Sequence, residues 1–181
     1  SLLSLPFALQ TDIQTIPSTV PYLSASTEKK LEWSRKLGPK TRPRVGLVWS
    51  GGYRPNNPEL HAVNSRRNIP LEKFKILEDL DIDFYSLQKG MEAENELKTL
   101  KELNYFGKKI IDHTRDFHSF SDTAALIENL DLVISVDTST AHLAGALGKP
   151  IWILNRFDNC WRWLLDRNDS PWYPSARLFR Q

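Results

Sequence analysis

A chain of 181 residues is long enough for one ordinary domain with a large core and about forty residues besides. Its net charge of +2 and pI near 8.6, with lysines and arginines scattered rather than blocked, exclude a nucleic-acid reader and leave any anion specificity to placement. Cys160 is the single cysteine, which excludes an internal disulfide and a cysteine-based zinc site and fits a cytoplasmic location. No apolar run approaches the roughly 18 residues of a transmembrane segment.

The opening Leu2-Leu3-Ser4-Leu5-Pro6-Phe7-Ala8 is apolar, yet it has no basic leader and is broken by proline, so it is not read as a signal peptide. The chain does not start with Met and is expected to be a piece of a longer protein. Residues 1–43 are rich in Pro, Ser and Thr, and only Thr27 to Leu37 predicts a helix, with Leu31, Trp33 and Leu37 on a partly apolar face and Gly38-Pro39 ending it. This segment reads as the tail of a preceding domain plus a linker helix, with the boundary near Arg42 and the main domain over 44–181.

Val45 to Trp49 predicts a buried strand, followed at once by Ser50-Gly51-Gly52, where glycine permits close backbone approach. Tyr53 to Ile69 then reads as a long polar connection carrying Asn56, Asn57, His61, Arg66 and Arg67; structureless connections of that length in a compact domain are functional or disordered. Pro70 suits a helix start, with Leu71, Phe74, Leu77 and Leu80 as its stripe. Ile82 to Leu87 predicts a strand, Gln88-Lys89-Gly90 its exit turn, Glu92 to Leu103 a helix, and Lys109 to Asp112 a short strand. A helix capped near Ser119 or Ser121 would place Phe120, Ala124, Ile127 and Leu130 on one side. Beyond it come strands at Ile151 to Leu154 and Ala176 to Phe179, with a short helix at Trp161 to Leu165 between them.

Asp131 to Pro150 organises the rest. Its apolar, β-branched run ends at Val136-Asp137; Thr138 and Ser139 favour a helix N-cap, and Gly148 with Pro150 supplies the stop. Ala141, Ala144 and Gly145 let that helix lie close to a sheet, and its first-turn amides, unpaired and at the positive end of the dipole, face whatever sits beyond the strand. That is a phosphate site; the same pattern also describes an ordinary βα unit, and His142 in the first turn is read as a structural hydrogen-bonding residue or a ligand contact.

Strands alternating with helices predict an α/β, Rossmann-like three-layer domain with a mostly parallel sheet. In a dinucleotide-binding strand order, the first and fourth strands lie side by side and bind ligands outside their carboxyl ends. Those ends carry Ser50, Gly51, Gly52 and Asp137, Thr138, Ser139, Thr140. Arg67 is the first candidate to grip a diphosphate bidentately and Arg66 the second, while Gln88 and Lys89 are within reach of a base or ribose. Asp79, Asp81 and Asp83 alternate like metal ligands but straddle an element boundary and read as solvated turn acids. Trp161, Trp163, Trp172 and Tyr173 either stack on a base or seal a domain edge. No metal site, catalytic triad, Walker motif or complete GxGxxG is present.

The run Asp137-Thr138-Ser139-Thr140-Ala141-His142-Leu143-Ala144-Gly145-Ala146-Leu147-Gly148-Lys149-Pro150 resembles the sugar-nucleotide motif of heptosyltransferase-like glycosyltransferases. With Leu3 to Pro6, Val20 to Leu23, Val45 to Trp49, Ser86 to Gly90 and Trp161 to Arg167, the chain looks like the C-terminal part of bacterial tetratricopeptide-repeat proteins that carry such a domain. The resemblance implies the donor-binding, C-terminal half of a GT-B fold, a missing N-terminal acceptor domain of which Ser1 to about Leu23 is the tail, and a metal-independent, inverting transfer. The donor substrate would be a nucleoside-diphosphate sugar with no further cofactor, and the acceptor a glycan, a lipid-linked molecule or a protein. Carried over by position, Asp137, Thr138, Ser139 and His142 fall on the donor motif and Arg67 on a basic residue that meets the diphosphate; the catalytic base would come from the other domain. Three positions depart from the pattern: Ser139 stands where heptosyltransferases have Gly, Gly52 where the repeat-protein relatives have Asn, and Cys160 where they have an acid. The alternative reading is a non-catalytic nucleotide-sugar or protein-interaction module. A sugar-nucleotide epimerase on the same fold would need acid and base residues that the sequence does not offer.

Overall fold

A computed structural model of the chain describes residues 4–52, 56–57, 59–103 and 105–181, without the side chains of Leu60, His61 and Val63. The helices are α1 (Leu5–Ala8), α2 (Thr27–Leu37), α3 (Glu59–Arg67), α4 (Met91–Glu102), α5 (Phe120–Glu128) and α6 (Ser139–Ala146). The strands are β1 (Arg44–Val48), β2 (Asp83–Ser86), β3 (Ile110–Asp112), β4 (Leu132–Val136), β5 (Ile151–Asn155) and β6 (Ala176–Arg180). They form one six-stranded sheet in the order β3-β2-β1-β4-β5-β6, and every pair is parallel. The expected Rossmann-like α/β fold is therefore present, with β1 beside β4 at the point where the order reverses.

Parallel strands bury both faces, and alternation along β1 shows how. Val45, Leu47 and Trp49 point into a core shared with Leu71, Phe74, Phe84 and Phe106, while Val48 points into the opposite core with α5 and α6. Gly46 faces the same side as Val48, and its lack of a side chain matters there, since a Cβ would come within 2.6 Å of Leu87 and 2.7 Å of Leu130. Helix α6 approaches just as closely: Ala141 and Ala144 are fully buried, and a Cβ on Gly145 would meet the Tyr173 ring at 2.5 Å. The N-terminal segment lies on this same face. Trp33 of α2 is buried edge-on against Phe117, Lys29 and Lys30 pair with Asp122 and Glu128 of α5, and the Tyr22 and Leu23 amides donate to the Ala146 carbonyl.

Several sequence expectations are corrected. Part of the long connection after β1 is helical: α3 spans Glu59–Arg67, while Tyr53 to Pro55 and Pro58 lie outside the described residues. Its polar run carries no apolar stripe to announce it. The segment after Pro70 is a 3₁₀ helix, Leu71–Leu77, and the Trp161 helix is likewise a 3₁₀ turn, Trp161–Trp163. Phe120 is not on the core side of α5; as its first residue it points outward and is exposed, whereas Ala124, Ile127 and Leu130 are buried. Leu31 and Leu80 are also exposed. Asp81 and Asp83 are neutralised by Arg42, and among the described residues no group of three acidic, His or Cys side chains is arranged to hold a metal.

Candidate nucleotide-binding cleft

At the carboxyl end of the sheet, the segments leaving β1, β2 and β4 and the start of α5 enclose a cleft of ≈ 360 Å³. Ser50 and Gly52 line it from β1, Gln88 and Lys89 from β2, and Thr138, Ser139 and Thr140 from β4 and α6. Seven of the eleven residues singled out in the sequence thus share one cavity, brought together by the β1–β4 pairing. The other four lie behind or beside it.

Long polar side chains hold the β1 exit in place. Gln88 is buried, and its Oε1 accepts from the Trp49 amide at 3.1 Å and the Ser50 amide at 2.9 Å, while its Nε2 donates to the Lys89 carbonyl. The Gly51 amide donates to Asn68 Oδ1 at 2.8 Å, and Arg67 packs so flat on Gly51 that a Cβ would fall 1.9 Å from Nη2. Arg67 Nη1 donates to the Asp137 carbonyl at 3.0 Å, and Nη2 donates to Asn64 Oδ1. Arg67 therefore joins the β1 exit to the β4 exit but does not itself line the cleft. Lys89 Nζ donates to the Thr114 carbonyl at 2.9 Å, which holds the ammonium at the β2 side.

The β4 exit is built differently, from the backbone and small side chains. Thr138 is the N-cap of α6; its Oγ1 lies 3.4 Å from the Ala141 amide it accepts from and 3.0 Å from Ser135 Oγ. The Ser139 and Thr140 amides have no acceptor among the described residues, and α6 has no acidic residue in its first turn. The positive end of the helix dipole is thus presented to the cleft with no acid in its first turn, although the Asp137 carboxylate stands directly before the N-cap. His142 turns the other way: its ring stacks on buried Trp163 at 5.0 Å and 14°, Nδ1 lies 3.0 Å from Tyr173 Oη, and Nε2 lies 3.7 Å from Asp137 Oδ1. Burial pushes the His142 pKa down against the pull of Asp137, so the ring is held neutral near pH 7. Trp163 and Tyr173 seal this edge of the core, while Trp161 is exposed.

The fourth wall was not legible as a site in the sequence. Phe117, His118, Ser119, Phe120 and Thr123 reach the cleft from the start of α5. No sequence signal marked it: Phe120 falls on the stripe of Ala124 and Ile127, and it is exposed as the first residue of α5.

Four similarities bear on this geometry. Residues 116–154, which carry α5, β4, α6 and all but the last residue of β5, match the model of glycosyltransferase family 9 (heptosyltransferase). The chain is 31% identical over 179 residues to Protein FlbA of Caulobacter vibrioides, covering 95% of this chain and 28% of FlbA. A glycosyl transferase family 9 structure from Veillonella parvula superposes over 92% of this chain with a TM-score of 0.62 and 16% identity. The E. coli ADP-heptose lps heptosyltransferase II structure superposes over 93% with a TM-score of 0.54, also at 16% identity. The chain spans 45% and 48% of those two structures, about half their length. The segment that builds the α6 side of the cleft thus carries a glycosyltransferase family 9 (heptosyltransferase) domain match, within a chain whose parallel six-stranded fold is that of solved glycosyltransferases.

Proposed function

We propose that the chain is the donor-binding half of a two-domain, metal-independent glycosyltransferase and that the cleft takes a nucleoside-diphosphate sugar. The observation that carries this reading is the α6 N-terminus, whose Ser139 and Thr140 amides and Thr138 hydroxyl line the cleft with no carboxylate of the helix's own beside them. The diphosphate sits there, with Arg67 adding positive charge from beside the cleft. Lys89 and Phe120 flank the cleft at the β2 and α5 sides, where the nucleoside extends.

In the transfer, an acceptor hydroxyl oxygen bonds to the anomeric carbon while the bond from that carbon to the diphosphate oxygen breaks. The hydroxyl proton passes to a base on the facing domain, and the negative charge growing on the leaving diphosphate is met by the α6 dipole. The acceptor is a glycan, a lipid-linked molecule or a protein, and the facing domain, with tetratricopeptide repeats beyond it, belongs to the longer protein. Because acceptor and base come from that facing half, this chain alone binds donor without turnover.

Calorimetry with ADP-, GDP- and UDP-sugars, with and without a chelator, tests the reading. One nucleotide class is expected to bind, equally well in EDTA. Arg67→Ala and Thr138→Leu should each weaken it by roughly 1–3 kcal/mol, the scale of a charge-assisted hydrogen bond. Absence of binding across the panel would leave a non-catalytic interaction module, and loss of affinity in EDTA would refute metal independence.

A further inference from the structure

Asp137 stands between β4 and the Thr138 N-cap, and its carboxylate is a negative charge close enough to α6 to spoil an anion site there. An aspartate commonly folds back to accept from the amide two residues on, as in an Asx turn, and here that amide belongs to Ser139. No such bond forms. Among the described residues the Asp137 carboxylate accepts no hydrogen bond, and its Oδ1 lies instead 3.7 Å from His142 Nε2.

His142 can hold that carboxylate only with a proton on Nε2. A neutral imidazole has one N–H, so Nδ1 must then be an acceptor. Its partner is the Tyr173 hydroxyl at 3.0 Å, and Tyr22 Oη stands 3.5 Å beyond, donating to Tyr173 in turn. Burial pushes the Tyr173 phenol above its ordinary pKa, so it keeps the proton it donates. The opposite tautomer would turn a nitrogen lone pair on the Asp137 carboxylate, which is repulsive. Hydroxyl and carboxylate thus select the same tautomer from the two ends of the ring. The rings have little room to turn: His142 is stacked on Trp163, and Tyr173 lies so close to α6 that a Cβ on Gly145 would meet its ring at 2.5 Å.

We propose that Tyr173 is a positioning residue for the α6 end of the cleft: its hydroxyl donates to His142 Nδ1, and the proton this leaves on Nε2 holds the Asp137 carboxylate off the Ser139 amide. The hold on Asp137 stands on its own geometry; only its consequence for a diphosphate rests on the donor reading of the cleft. Arg67 already fixes the Asp137 carbonyl at 3.0 Å, so the residue is held at its backbone and at its side chain. Removing the Tyr173 hydroxyl frees the side chain alone. The carboxylate then closes on the Ser139 amide as a self-cap, in the place a diphosphate would take.

Tyr173→Phe keeps the ring against Gly145 and Trp163 and tests this. NMR of the histidine ring nitrogens in the whole chain, with the His142 signals identified by their loss in His142→Gln, reads the tautomer. Nδ1 should be unprotonated in the wild type, and its signal should move toward that of an unbonded ring nitrogen in Tyr173→Phe. Calorimetry with ADP, GDP and UDP reads the consequence. Tyr173→Phe should weaken the tightest binder roughly three- to tenfold, the scale of one neutral hydrogen bond, and by less than about twofold once Asp137→Ala has removed the carboxylate. Equal weakening in both backgrounds, a proton on Nδ1 in the wild type, or an Nδ1 signal that does not move would overturn the proposal. If a nucleoside diphosphate binds Tyr173→Phe as tightly as the wild type, the donor reading stands and Tyr173 loses its role. If none binds while Nδ1 accepts from Tyr173, the donor reading falls and the hold on Asp137 stands.

Discussion

Two helices, α5 and α6, begin at the same cleft and treat their positive ends in opposite ways. Helix α5 carries its own anion: Asp122 Oδ2 accepts from the His118 amide at 3.0 Å and the Ser119 amide at 2.9 Å, within a Ser-Asp capping box, and the carboxylate also pairs with Lys29. Helix α6 has only the Thr138 hydroxyl, on a long 3.4 Å bond, and no acid in its first turn. A helix start satisfied from within is a structural device. One left with unpaired amides on a cavity is available to a ligand. The first is a stabilising device, and the second is the anion site proposed above; each reading can be attacked separately.

The largest effect is expected at α5. Burial alone would push the Asp122 carboxyl up, but the Lys29 ammonium, the amides of His118 and Ser119 and the Ser119 hydroxyl bring it down to about 2. A folded pKa below the ordinary 3.8 means the folded chain binds fewer protons than the unfolded one. The stability is therefore present above pH 4 and lost as pH falls from there toward 2, by roughly 2 kcal/mol. Asp122→Ala should cost roughly 2–4 kcal/mol at pH 7, because it orphans two amides and leaves Lys29 without its buried partner. Chemical denaturation of wild type and variant at pH 7 and pH 3 checks both statements: the gap between the two proteins should narrow in acid. A gap that holds at pH 3 would show that the carboxylate charge does not stabilise α5.

How far this contrast could be read from the sequence depends on the range of the interactions. The six strands, the extent of α2 and the capped start of α6 rest on local signals: β-branched runs, Thr138 after Asp137, Ser26 before Thr27, and Gly148 after the last turn; the order about β1 and β4 follows from the dinucleotide-binding topology that their alternation with helices suggests. Those signals act over a few residues and survive in one dimension. What was missed is held by contacts distant in sequence. Gln88 caps the amides of Trp49 and Ser50 from 39 and 38 residues away, and Glu96 of α4 accepts from both the Trp49 indole and the Leu71 amide. Nothing near Gln88 or Glu96 announces either role. The same holds for Arg67, a candidate for its charge and its loop, whose contact with the Asp137 carbonyl 70 residues away only the fold reveals. Helix α3 was missed for the opposite reason: it is local but polar, so periodicity has nothing to register.

A smaller effect is expected at the α6 cap. Thr138→Ala removes the acceptor for the Ala141 amide and the partner of Ser135 Oγ, which should cost about 1 kcal/mol. Thr138→Ser keeps the oxygen and should restore most of it. Thermal unfolding of the pair measures this. An Ala variant that loses as much as Asp122→Ala would mean that α6 depends on its cap no less than α5 does, and the contrast would fail.

The smallest change in stability, and the most informative, should come from making α6 resemble α5. Ser139 is the first residue of α6 and lines the cleft, so Ser139→Asp places a carboxylate at the positive end of the dipole, which is worth about 0.3–1 kcal/mol of stability at an exposed helix start. Asp137 stands two residues before it and repels the new charge, so the gain belongs at the low end of that range. The same carboxylate occupies the ground that a diphosphate needs, and its charge opposes any anion approaching the Ser139 and Thr140 amides. Unfolding midpoint and nucleoside-diphosphate affinity should therefore move in opposite directions, with the midpoint level or slightly raised and the affinity down by at least tenfold. Few substitutions separate these outcomes so cleanly, because a variant that merely damages the fold lowers both. If Ser139→Asp binds nucleotide as well as wild type does, the α6 N-terminus is not the diphosphate site, and the anion must be held elsewhere along the cleft.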